Sequence, residues 1–123
     1  MRLLIFFGLL LISLVLPSAA RAHAELDHTI PAPDSTVDAP LSEMTLVFTE
    51  QIEPAFSTVE IHDDDGNPIS IDGAHIDVEN MTTIHVPLKP LASGTYHVVW
   101  HVTSVDTHGT EGEYTFHIKN KQP

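Results

Sequence analysis

His23, Asp106 and His108 are the residues of this chain best suited to chemistry. Ala20-Arg21-Ala22 forms an A-x-A cleavage signal, and the residue that follows it is His23. Cleavage there makes His23 an N-terminus. A histidine with a free α-amine chelates a metal through two atoms, the amine nitrogen and the near ring nitrogen, and nitrogen donors of this kind suit Cu(II). Asp106-Thr107-His108 adds a carboxylate and an imidazole at i and i+2, which point the same way in an extended segment and can converge on one ion. Gly109 and Gly112 are expected to let the backbone bend and approach closely there. A D-x-H segment alone is more often a solvated turn. Its coincidence with a histidine N-terminus gives it weight.

The leader has three parts: Arg2 as the positive region, an apolar run over 3–16 broken only by Gly8 and Ser13, and a small-residue exit over 17–22. The run is shorter than the roughly 20 apolar residues of a spanning helix. Residues 1–22 are therefore expected to be a cleaved signal peptide, and 23–123 an exported, periplasmic domain. Its 101 residues suffice for one small domain with a modest core. Three lysines then face 17 acids, a formal charge of −14 that repels nucleic acid and anionic lipid while attracting cations. There is no cysteine, so no disulfide or thiolate site exists, and a metal must be held by nitrogen and oxygen.

The elements that must position these residues read as strands. Short segments rich in Val, Ile, Thr and aromatics alternate with turn residues, giving expected strands at 26–30, 44–49, 58–62, 69–71, 82–88, 96–105 and 113–119. Tyr96, Val98, Trp100 and Val102 share one face, as do Tyr114, Phe116 and Ile118. About seven strands with no helical period predict an all-β, immunoglobulin-like Greek-key sandwich in which Trp100 is a core anchor. Residues 120–123 are expected to fray.

Other motifs take plainer readings. Asp63-Asp64-Asp65-Gly66-Asn67 lacks the acid spacing of a calcium loop and reads as a hairpin turn. His85, His97, His101 and His117 read as solvated outer-face residues, with a weak second metal patch as the alternative should their strands pair. Asn80-Met81-Thr82 is an incidental glycosylation sequon.

Taken in order, several phrases resemble the CopC family of periplasmic copper-resistance and copper-carrier domains. They are His23-Ala24-Glu25-Leu26, Pro31-Ala32-Pro33-Asp34-Ser35, Leu46-Val47-Phe48-Thr49-Glu50 and Glu53-Pro54-Ala55-Phe56-Ser57. Leu91-Ala92-Ser93-Gly94-Thr95-Tyr96, the run Trp100 to His108, Glu111-Gly112 and Tyr114-Thr115-Phe116 follow. The resemblance implies a cupredoxin-like sandwich that binds one Cu(II) per chain at one end. It implies His23 as amine and imidazole donor, Asp106 and His108 as further ligands, and Glu50 in the first or second shell. Some members carry a methionine-rich Cu(I) loop, but Met44 and Met81 stand apart here, so no dedicated Cu(I) site is expected. A CopD-like inner-membrane protein is the candidate partner. A membrane domain is fused to some members and is not expected in this chain, which is expected to be a monomer.

The function that follows is a Cu(II)-binding protein that sequesters or carries copper, and not an enzyme. Two rivals remain at this point. A histidine-brace copper monooxygenase would share the N-terminal chelate, yet the chain has one Trp and little spare length for a polymer-binding surface. A metal-free structural sandwich would explain the fold and the acidity but leave His23, Asp106 and His108 unlinked.

Overall fold

The structure, a computed structural model, describes residues 23–120. The expected signal peptide, 1–22, and the last three residues of the expected frayed tail lie outside the described residues.

Among the described residues nine strands form in chain order: β1 (Leu26–Ile30), β2 (Thr36–Asp38), β3 (Glu43–Phe48), β4 (Thr58–Asp63), β5 (Pro68–Ile69), β6 (His75–Ile76), β7 (Thr83–Pro87), β8 (Gly94–Thr103) and β9 (Gly109–Lys119). A 3-10 turn at Pro54–Phe56 is the one helical element among the described residues. The strands make two sheets, β1-β3-β7-β6 and β2-β9-β8-β4-β5, and the chain crosses repeatedly between them. This is the expected all-β sandwich.

The strand count exceeds the expected seven because two short strands escaped the alternation pattern. β2 pairs in parallel with β9, and β6 adds only His75 and Ile76 to the edge at β7. Strands of two or three residues are too brief to show a period of two. β9 also begins earlier than expected, because Gly109 to Gly112 stay in register with β8.

Alternation decides the core. Met44, Leu46, Phe48, Ile84 and Val86 point inward from one sheet, and Ile61, Tyr96, Val98, Trp100, Val102, Tyr114, Phe116 and Ile118 from the other. Phe48 and Trp100 meet edge to face at 5.2 Å, joining β3 to β8. Gly112 lies opposite Trp100, and a Cβ at that position would collide with the indole. The glycine therefore makes room for the core anchor and does not bend the site loop.

Pairing also fixes which loops share an end. The start of β1 lies beside the end of β3, with Leu26 opposite Phe48. The end of β8 lies beside the start of β9, with Thr103 opposite Gly109. An isolated bridge between Ile52 and Ser104 ties the segment after β3 to the β8–β9 turn. His23, Glu50, Asp106 and His108 all belong to segments at this end.

Candidate metal centre

The β8–β9 turn is built around Ser104 and Asp106. Ser104 is buried, and its backbone N–H donates to the His108 carbonyl at 3.0 Å, closing the turn. Its hydroxyl donates to Asp106 Oδ1, which also accepts the His108 backbone N–H at 3.3 Å. Thr107 takes the left-handed conformation that reverses the chain, with φ of 76°. The bend thus falls on Thr107 and not on the glycines at 109 and 112.

These bonds set the electrostatics. The Ser104 hydroxyl first, and the His108 N–H groups after it, hold the Asp106 carboxyl below its ordinary value of 3.8, against a smaller opposing effect of desolvation. Asp106 is thus anionic over the physiological range. One oxygen is committed to Ser104 and the His108 backbone. The other, Oδ2, faces His108 Nδ1 at 3.4 Å.

His23 comes to this turn from the far end of the sequence. Ala24, fully buried, accepts the Thr110 hydroxyl at its carbonyl, and Glu25 pairs with Thr49 through two bonds of 2.9 and 2.8 Å. So anchored, the chain lays the His23 ring against His108, with centroids 4.5 Å apart and planes at 71°. His23 Nδ1 is buried and has no hydrogen-bond partner among the described residues. A buried, unpartnered nitrogen is costly unless something is to occupy it. Nδ1 is also the atom that would close a chelate ring with an N-terminal amine.

The structure thus brings together His23, Asp106 and His108. Glu50 sits at the same end, exposed in the bend after β3, between Thr49, which bonds Glu25, and Gln51, whose carbonyl accepts the Val105 N–H at 3.1 Å. No hydrogen bond joins Glu50 to His23, Asp106 or His108. Among the described residues, no three His, Asp or Glu side chains already enclose a common point. While His23 remains an internal residue its nitrogen is an amide, so one donor of the expected set does not yet exist.

The residues the sequence reading missed are the supports: Ser104, Thr49 and Thr110. Ser104 stands two before Asp106, and that S-x-D spacing was a legible signal for a short side-chain bond.

The histidine patch divides. His85 lies on β7 in one sheet, whereas His97, His101 and His117 lie on β8 and β9 in the other. His97 faces Asp64 at 3.1 Å, His101 faces Glu111 at 2.8 Å, and His117 bonds Thr95 at 2.8 Å. These four histidines make no common site.

A β-sandwich with two histidines and a carboxylate gathered at one end is the frame of a small metal-binding domain. The CopC domain family matches residues 26–119, and the chain belongs to the CopC family. Protein YobA of Escherichia coli (strain K12) is 41% identical over 113 residues, covering 91% of this chain and 90% of that protein. The crystal structure of CopC from Methylosinus trichosporium OB3b superposes with a TM-score of 0.76 at 29% identity, covering 82% of this chain and 98% of that one. The structure of PcoC, a methionine-rich copper resistance protein from Escherichia coli, superposes with a TM-score of 0.71 at 32% identity, covering 80% of this chain and all of that one. No described helix is long and apolar enough to cross a membrane.

Proposed function

We propose that this protein is exported, loses residues 1–22, and then captures one Cu(II) as cargo at the end of the sandwich where His23 meets His108. The observation that carries this reading is the His23–His108 ring contact together with the unpartnered Nδ1 of His23. Cleavage before His23 would free the α-amine beside that nitrogen. His108 adds an imidazole and Asp106 a carboxylate through Oδ2, with Glu50, from the same end of the sandwich, as a further ligand or an acceptor for one. Two imidazoles, an amine and carboxylate or water suit tetragonal Cu(II).

The donor set and the family support the following role. The protein holds copper for sequestration or transfer in the periplasm, as a monomer, with a CopD-like inner-membrane protein as the recipient. No dedicated Cu(I) site is part of this reading: among the described residues Met44 is fully buried, and Met81 stands far from it in sequence. This reading assigns it no catalytic activity. Ser104 bonds Asp106 Oδ1 and holds the turn, and Asp106 keeps Oδ2 for the ion.

The test is a competition titration of Cu(II) against a chelator, using the protein that begins at His23 and its His108→Ala variant. The wild type should bind one ion, more weakly in mild acid, because amine and imidazoles must lose protons to coordinate. An affinity that is the same in the variant, or that does not fall with pH, would contradict the ligand set.

A further inference from the structure

On the opposite sheet from the histidines of β8 and β9, the edge strand β6 sets His75 directly across from His85 of β7. Their rings stack at 5.4 Å with planes 29° apart. Two carboxylates stand against the same ring, Glu43 at Nδ1 of His85 (3.0 Å) and Asp77 Oδ2 at Nε2 (3.3 Å).

Each of three potential ligands is also held by a second atom besides the one it would offer. His75 Nδ1 bonds the Gly73 carbonyl at 2.8 Å. A carbonyl only accepts, so Nδ1 carries a proton, and in the neutral ring the lone pair is on Nε2. Asp77 Oδ1 accepts the backbone N–H groups of Glu79 at 2.9 Å and Asn80 at 3.3 Å, leaving Oδ2 free to turn toward His85. Glu43 takes the Nδ1 side of His85, so Nε2, which now bonds Asp77 Oδ2, is the atom that would donate once its proton leaves. Metal-binding histidines are held in this way, with the second ring nitrogen given to a carbonyl or carboxylate.

The spacing agrees. Ligands at about 2.0–2.1 Å from a tetrahedral Zn(II) lie about 3.3 Å from one another. Asp77 Oδ2 and His85 Nε2 are hydrogen-bonded at 3.3 Å, a separation that replacement of the Nε2 proton by an ion would keep.

We propose that His75, His85 and Asp77 form a second divalent-cation site of Zn(II) type, distinct from the His23–His108 end, with Glu43 and the Gly73 carbonyl positioning the two rings. Nitrogen, nitrogen and carboxylate oxygen with a fourth position left to water is a borderline-soft set that takes Zn(II) or a similar ion. The three side chains do not yet enclose a common point, and closure requires the exposed His75 ring to leave its stacked position on His85 and the ion to replace the His85 Nε2–Asp77 Oδ2 hydrogen bond. Binding displaces the Nε2 proton of His85, so uptake releases a proton.

The test is calorimetric titration of Zn(II) into the protein and into His75→Gln, His85→Gln and His23→Gln variants, with histidine ring nitrogen shifts followed by NMR. The expected result is one Zn(II) bound by the wild type and by His23→Gln, with Nε2 of both His75 and His85 shifted. At least a tenfold loss of affinity is expected in His75→Gln and His85→Gln. No binding by the wild type, binding unchanged in His75→Gln, or binding abolished by His23→Gln would overturn the proposal. The exposed His75 variant decides the matter should His85→Gln fail to fold.

Discussion

The rings of His23 and His108 meet edge to face with centroids 4.5 Å apart, although they lie far apart in the sequence. The sandwich makes this contact by pairing β1 with β3 and β8 with β9, and by tying Ala24 to Thr110 across the two sheets. The scaffold thus delivers two imidazoles to one place before any ion arrives. What remains to be supplied is the amine.

Ser104 holds Asp106 and so holds the turn that carries His108. Ser104→Ala should leave the fold intact and lower copper affinity by roughly 10–100-fold, the usual cost of losing a residue that orients ligands. Chelator competition measures this. An unchanged affinity would mean that the Asp106 carboxylate needs no such support.

Gly112 is set by packing, not by the site. In Gly112→Ala the added methyl meets the Trp100 indole, and overpacking of this kind costs about 1–3 kcal/mol. Urea unfolding followed by the fluorescence of Trp100, the single tryptophan, should show the loss. Stability equal to wild type would show that the indole can yield freely.

The β4–β5 hairpin carries a pH signature. Asp63 Oδ1 accepts the N–H groups of Asn67 at 2.9 Å and Asp65 at 3.0 Å, and these bonds, that of Asn67 foremost, hold its carboxyl below 3.8. A folded-state value below the unfolded one gives stability that is present above the unfolded value and lost as pH falls through the folded one. Asp63→Ala should therefore unfold at lower denaturant than wild type at neutral pH, and the gap should close in acid. A gap that persists at pH about 2 would place the effect outside Asp63 ionisation.

Much of the fold was legible because burial imposes a period of two. Leu46 and Phe48, Ile84 and Val86, and the alternating rows of β8 and β9 all point where their spacing says. What was not legible depends on register between distant strands. Nothing local places His75 across from His85, or separates His85 from His97, since pairing is fixed by packing over long range. Thr107 taking the left-handed turn was hidden for a different reason. The neighbouring glycines are the residues that usually do so, but here one is paired in β9 and the other is opposite Trp100. The three site residues His23, Asp106 and His108 were legible as types, whereas their proximity needed the sheets. Glu50 came from a phrase in the sequence, and its position at the same end, exposed after β3, is what the structure adds.

The most direct measurement is electron paramagnetic resonance of Cu(II) added to the protein beginning at His23, beside a form with one extra residue before it. The account predicts a one-to-one, nitrogen-rich tetragonal signal from the free-His23 form, and a weaker, altered one from the extended form. Equal binding and identical spectra from both would contradict the N-terminal chelate and move the copper ligands elsewhere on the molecule.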